Sequence, residues 1–251
     1  MRISSATALL STALLLFPLT AIAEEALPKL GPDAVPVTAD HAYLQTAPAP
    51  DYWAFAPFVK PQFTSSACGV ASITAALNGL RGLPPLAEDT VMGQADLLET
   101  LGDAHWTAIS AEGGDGVTFA ELVDYTRKSA EALGMTARVE SWHPAETPPD
   151  EAARLAELRK RLAANEQAAT DVLMVYFNQG VVTGDWDGPH VSLIGAYDAA
   201  RDRVLILEVD QDWYIPYWTP TEVLLRAMER PAPEDQGVLE GETGGLVHVT
   251  L

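Results

Sequence analysis

One cysteine, Cys68, stands among 251 residues. A single thiol closes no internal disulfide and builds no cysteine-rich metal cluster. Neither His-x-x-x-His nor Cys-x-x-Cys occurs, so no dedicated zinc site is expected. Basic residues are scarce, with 15 Lys and Arg against 35 Asp and Glu, for a formal net charge of −20. That imbalance disfavours nucleic acid and anionic membrane as partners, and a site for an anion must overcome it locally. The one long apolar run, residues 8–17, is interrupted by Pro18, which argues against a stable membrane-spanning helix. Gly113-Gly114-Asp115-Gly116 lacks the flanking strand and the Lys-Ser/Thr of a phosphate loop, which leaves a turn. No internal repeat is present. Apolar residues make up 48% of the chain, enough to build a globular core.

The first residues have the layout of a secretory signal. Arg2 supplies a positive start, the apolar run follows, and Ala21-Ile22-Ala23 is a small-x-small cleavage site. The expected organisation is a signal peptide over 1–23, an irregular Pro- and Ala-rich arm over 24–50, and a catalytic domain over 51–251. An uncleaved anchor is the alternative. The expected address is the periplasm or the exterior, with no membrane in the mature form. In such a compartment a lone thiol is either a liability or a functional group.

Cys68 opens an apolar pattern. Val70, Ile73, Ala76 and Leu77 fall at helical spacing, and Asn78-Gly79 offers a stop, so a helix is expected over 68–77. At a helix start, free backbone N–H groups and the dipole favour a thiolate. A buried structural cysteine is the alternative. Further helices are expected over 86–101, after the Thr118-x-x-Glu121 capping box as far as Gly134, over 148–167, and after a second capping box at 219–222. Strands are expected over 136–142, 172–177, 191–197, 203–209 and 246–251. An acidic Gly/Pro loop is expected over 231–245. Helices first and an antiparallel sheet second make an α+β chain.

Of the five histidines, only His190 stands where a strand begins behind a turn, 183–189. The next strand, folded back antiparallel across 199–201, returns Glu208 toward it. Such a carboxylate would fix the imidazole tautomer and stabilise an imidazolium beside a thiolate. Asp210 is the neighbouring competitor, and a structural histidine with an edge carboxylate is the alternative. Gln62, six residues before Cys68, has an amide able to donate to an oxyanion.

These residues carry a resemblance. Gln62-x5-Cys68-Gly-Val-Ala-Ser resembles the catalytic stretch of phytochelatin synthases, of the papain-like cysteine peptidase clan. Thr183-Gly-Asp with His190-x-Ser192-x-Ile194-Gly195-x-Tyr197 resembles that family's histidine segment, and residues 205–209 with Pro216-x-Trp218 resemble its carboxylate segment. The resemblance implies a papain-like fold, with a helical lobe bearing the nucleophile packed on an antiparallel sheet lobe. It implies that Cys68 attacks glutathione at the cysteine–glycine bond, releasing glycine and leaving a γ-glutamylcysteinyl thioester for a second glutathione or for water. Gln62 and the Cys68 N–H would form the oxyanion hole, His190 would serve as base and then acid, and Glu208 would orient it. Gly69, Asp185 and Ser192 would contact substrate. No tightly bound cofactor is implied; a divalent metal would arrive only as a glutathione thiolate complex, and the partner is a small thiol peptide.

Three positions depart from the family pattern: Glu208 replaces Asp, Ala67 replaces Tyr, and Gln211 replaces an Arg suited to a substrate carboxylate. A bacteriocin-processing peptidase of the same clan is the first rival. It fits less well, because His190 follows Cys68 by 122 residues and Val209 stands where that group has Pro. An inactive binding relative is the second rival.

Overall fold

The computed structural model describes residues 28–146 and 150–251. The signal segment expected over 1–23 lies outside them, as does Pro148. In chain order the elements are β1 (Val35–Pro36), α1 (Ala42–Thr46), α2 (Pro50–Phe55), α3 (Cys68–Arg81), α4 (Gln94–Leu101), α5 (Ala104–Ile109) and α6 (Phe119–Ala132). There follow β2 (Arg138–Trp142), α7 (Glu151–Asn165), β3 (Asp171–Asn178), α8 (Gln179–Thr183), β4 (Pro189–Asp198), β5 (Arg203–Leu207), β6 (Tyr217–Pro220), α9 (Thr221–Glu229) and β7 (Gly245–Thr250). Short 3₁₀ turns occupy Ala56–Phe58, Pro144–Glu146 and Glu234–Leu239. The fold is α+β, as expected. Among the described residues, no helix is long and apolar enough to cross a membrane.

The strands pair antiparallel throughout, in the order β1-β6-β5-β4-β3-β7-β2. Both faces of the sheet are covered. Val191, Leu193, Leu205 and Leu207 point to the side where α3 packs. Ile194, Val204 and Ile206 point to the other side, against Val223, Leu224 and Met228 of α9. This explains why β3, β4 and β5 are nearly continuous apolar runs rather than alternating ones. Fully burying each such side chain contributes about 1.5–3 kcal/mol before entropy is counted.

Helix α3 is buried on all sides from Gly69 to Asn78, as a helix in the middle of a domain must be. It runs past the expected stop, ending at Arg81 with Gly82 in a left-handed conformation. Gly79 serves packing instead: a Cβ there would lie 2.1 Å from the Phe55 ring. Asn78 donates to the Met92 carbonyl at 2.8 Å, fastening the loop before α4.

Several expectations are corrected. Helix α4 begins at Gln94 rather than 86, because Leu86 is 55% exposed and that segment has no buried face to hold a helix. Helix α5 was not anticipated; Asp103 caps it by accepting from the His105 and Trp106 N–H groups. The Thr118–Glu121 box forms as expected. The second box does not: Pro220 is the cap of α9 and offers no side-chain acceptor. The arm is less irregular than expected. It adds β1 to the sheet edge, Trp218 Nε1 donates to the Asp40 carbonyl at 2.8 Å, and Arg203 pairs with the Asp40 carboxylate at 2.6 Å.

Candidate active site

The Ser72 hydroxyl donates to the Val191 carbonyl at 3.0 Å, which fastens α3 to β4. Cys68 lies one turn earlier, at the first position of α3, and so stands toward the His190 end of β4. It is partly buried, and the Ala67 cap leaves the first N–H groups without a side-chain partner. The preceding loop is sewn down: Thr64 Oγ1 donates to the Ser110 carbonyl at 2.6 Å, and Ser65 binds Glu112 through its N–H at 3.0 Å and its hydroxyl at 2.9 Å.

His190 is 3% exposed, edge-on to Phe177 at 5.6 Å. Its Nε2 lies 2.6 Å from Glu208 Oε1 and 3.1 Å from Ser192 Oγ. Nδ1 makes neither of these contacts. Burial acts against the imidazolium, but the Glu208 charge, a hydrogen-bonding interaction with Cys68 and the bond to Glu208 outweigh it, so the His190 pKa is raised. Glu208 is fully buried. Burial works to raise its pKa, and the neighbouring His190, the Asp210 N–H and Tyr217 together hold it below the ordinary value. The pair therefore favours imidazolium beside carboxylate, the state that stabilises a thiolate.

Glu208 reaches this place through an irregularity in the sheet. Near the turn the register pairs Asp198 with Arg203 and Ala196 with Leu205; beyond Gly195 it pairs Ile194 with Ile206 and Leu193 with Leu207. Gly195 is the extra residue of a β-bulge. Continued without the bulge, the first register would set Glu208 opposite Leu193, whose side chain faces the α3 core. With the bulge it lies opposite Ser192, on the same face as His190, and Ser192 Oγ donates to Glu208 Oε1 at 3.3 Å. A Cβ on Gly195 would sit 2.6 Å from Leu207 Cγ.

The remaining site expectations divide. Glu208, not Asp210, meets the imidazole; the Asp210 N–H donates to Glu208 at 2.7 Å while its side chain faces the cleft. Gln62 is tied to the acid segment by its backbone N–H, 2.8 Å from the Val209 carbonyl. Its side chain lines the cleft, with Nε2 making only a long 3.4 Å bond to the Ser65 carbonyl and Oε1 buried without a partner. Asp185 lines the cleft and accepts from the Tyr214 hydroxyl at 2.7 Å. Two expected substrate contacts lie elsewhere. Ser192 is fully buried behind the imidazole, and Gly69 is buried where a Cβ would meet Val117 at 2.9 Å, so it serves packing. His41, His105, His143 and His248 stand apart; the last three bind Glu121, Thr243 and Asp171 respectively.

Two buried residues escaped sequence reasoning. Gln179 donates to Glu208 Oε2 at 3.3 Å, and Tyr217 sets its hydroxyl beside the same carboxylate without a well-formed hydrogen bond. Burial first, and the Glu208 charge second, keep that phenol protonated. No spacing signal pointed to either. Gln211 is spent inside the protein, its amide donating to the Glu208 carbonyl at 3.0 Å. Among the described residues no cluster of His, Cys, Asp and Glu is arranged to hold a metal ion.

A cleft of about 760 Å³ has Gln62, Gln179 and Asp210 in its wall, while Cys68 and His190 are not part of its lining. Its walls are the loop before Cys68, the segment before His190 and the loop after Glu208. A thiol, an imidazole, a buried carboxylate and an amide side chain beside an open cleft can carry out acyl transfer through a thioester.

Comparison with known proteins identifies the family. The family model for phytochelatin synthase matches residues 38–237. Glutathione gamma-glutamylcysteinyltransferase 1 of Arabidopsis thaliana is 23% identical over 194 residues, which is 74% of this chain and 35% of that protein. Glutathione gamma-glutamylcysteinyltransferase 3 of Lotus japonicus is 25% identical over 179 residues, 68% of this chain and 32% of that protein. The chain thus spans about a third of the length of these relatives. With 200 residues inside the family match, this chain belongs to the phytochelatin synthase family.

Proposed function

We propose that this protein is a cysteine-dependent acyltransferase or hydrolase acting on glutathione. The observation that carries the reading is His190 held by the buried Glu208 carboxylate at 2.6 Å, at the end of β4 toward which Cys68 stands as the first residue of α3. The names of the two plant relatives supply the substrate.

In the first step the Cys68 sulfur attacks the carbonyl joining cysteine to glycine. The carbonyl oxygen gains negative charge and is met by the Cys68 N–H and the Gln62 amide. As the tetrahedral centre collapses, the carbon–nitrogen bond breaks and His190 gives its proton to the leaving amine. The γ-glutamylcysteinyl thioester is then taken by the amine of a second glutathione or by water, with His190 accepting the proton. Glu208, braced by Ser192, Gln179 and the Asp210 N–H, holds the imidazole in place throughout. Every step uses the chain's own residues, and a divalent metal enters only as a thiolate complex of the substrate. The segment 1–23 directs export, so the mature protein works in the periplasm or outside the cell, and detoxification of thiol-binding metals is the corresponding role.

The test is to incubate the protein with glutathione, follow free glycine, and look by intact mass for a γ-glutamylcysteinyl adduct, with Cys68→Ser as control. Glycine release that requires Cys68 supports the proposal. Cleavage of longer peptides alone assigns the protein to the peptidase reading, and the absence of any adduct or release supports an inactive binding relative.

A further inference from the structure

His190 must protonate the departing amine, so the leaving group lies on the His190 and Glu208 side of Cys68. Of the residues lining the cleft, Asp185 and Trp186 precede His190 in the chain, and Asp210, Asp212 and Trp213 follow Glu208. Glu112 adds a further carboxylate from the facing loop. Among the described residues no Lys or Arg lines this cleft.

Among the described residues Glu112, Asp210 and Asp212 form no ion pair with a Lys or Arg, and Asp185 pairs with Lys29 alone, at 3.9 Å. Glu112 is held charged by its two bonds to Ser65. Asp210 is pushed up by burial, with the charges of Glu208 and Asp212 adding to the effect and those of His190 and Lys29 opposing it. No resident metal site gathers these groups among the described residues. A neighbouring acidic groove shares Asp185 and Trp186 and continues past them to Glu234 and Asp235.

A cation already sits at the rim. The Lys29 ammonium lies 4.5 Å above the Trp213 ring and 4.7 Å above Tyr214, 3.9 Å from Asp185. The corner is therefore shaped to receive an ammonium group, combining ring faces with a carboxylate. The carboxylate of a departing glycine would instead meet several like charges.

We infer that the leaving-group side of the cleft recognises a positively charged amine, so that the favoured substrate is a γ-glutamylcysteinyl peptide whose C-terminal carboxylate is replaced by an amine-bearing chain. This rests on the acyl-transfer reading above and specifies its substrate class. The bond broken is the same amide: the acyl group passes to Cys68 Sγ, and the amine leaves with the proton from His190.

The experiment compares three probes at low and high salt: glutathione, its C-terminal amide, and glutathione joined at its glycine carboxyl to 1,4-diaminobutane. The expected order of kcat/KM is cationic above neutral above anionic. The span should be about tenfold or more at low salt and should narrow at high salt, as screening requires. Asp212→Asn should narrow it while Cys68 alkylation stays at the wild-type rate. Lys29→Met should raise turnover of the cationic probe and widen the span, because losing this cation leaves the corner open and more acidic. Equal rates on all three probes, or a preference for glutathione, overturn this inference alone. A fall in turnover of the cationic probe in Lys29→Met overturns it too, because the vacated corner should then take the probe's amine. Release from none of the probes, with no adduct on Cys68, overturns the acyl-transfer reading and this inference with it.

Discussion

Replacing Glu208 by Gln removes one negative charge from a fully buried site while keeping the side chain's length. In the folded protein the carboxylate lies 2.6 Å from His190 Nε2 and raises the imidazole's pKa. A charge pair about 4 Å apart is worth about 4 kcal/mol at an effective dielectric near 20, and salt screens it little when buried. The glutamine oxygen still accepts a hydrogen bond, so part of that is retained. A net loss of about 2–3 kcal/mol in imidazolium stabilisation corresponds to a rate loss of about 10²-fold. The sign in pH is fixed by the direction of the shift. Without the carboxylate, His190 gives up its proton at lower pH, so the upper inflection of activity moves down. Iodoacetamide alkylation of Cys68 from pH 5 to 10 reads this without assuming a substrate. Wild-type rates and an unmoved upper inflection in Glu208→Gln would refute the coupling.

Gly195→Ala places a methyl group 2.6 Å from the buried Leu207. It should lower stability by about 1–3 kcal/mol in urea denaturation, and activity should fall by more than the unfolded fraction explains, because the bulge sets the position of Glu208. Gln62→Ala should reduce acyl transfer by about 10²-fold or more while leaving the alkylation rate of Cys68 near wild type, since an oxyanion donor acts only on the transition state. Asp51 is fully buried; burial first, and the charges of Glu166 and Asp171 next, push its carboxyl up to about 9. Asn165 Nδ2 donates to its Oδ2, while Asp51 Oδ1 and Asn165 Oδ1 both lack a donor, which a proton on the Asp51 carboxyl supplies. The folded state therefore binds a proton that the unfolded chain releases near pH 4, so stability falls as pH rises from there to about 9. Asp51→Asn should flatten that decline, as measured by urea midpoints across the range.

The chemistry-bearing residues were legible because their types and spacings are few. A lone cysteine at a helix start, a glutamine six residues before it, and a histidine opening a strand all follow from short-range pattern. So does the return of Glu208, since consecutive strands joined by a tight turn pair antiparallel. Helix and strand types likewise followed from periodicity and from the Thr118 box. Helix ends were less secure: Gly79 has the local signature of a stop, yet Phe55, distant in sequence, requires the missing Cβ for packing.

Tertiary structure decided which face each residue occupies. The strand periodicity of two makes a single inserted residue reverse the facing of everything beyond it, and nothing in the local pattern around Gly195 announced the bulge that sets Glu208 beside His190. It also decided that Ser192 braces the imidazole rather than touching the cleft, and that Gln179 and Tyr217 enclose the carboxylate. The overall negative charge was plain from composition, but its concentration in the cleft depends on residues 185–186 and 210–214 meeting across space. Local sequence specifies which groups are available; packing between distant segments specifies which of them meet.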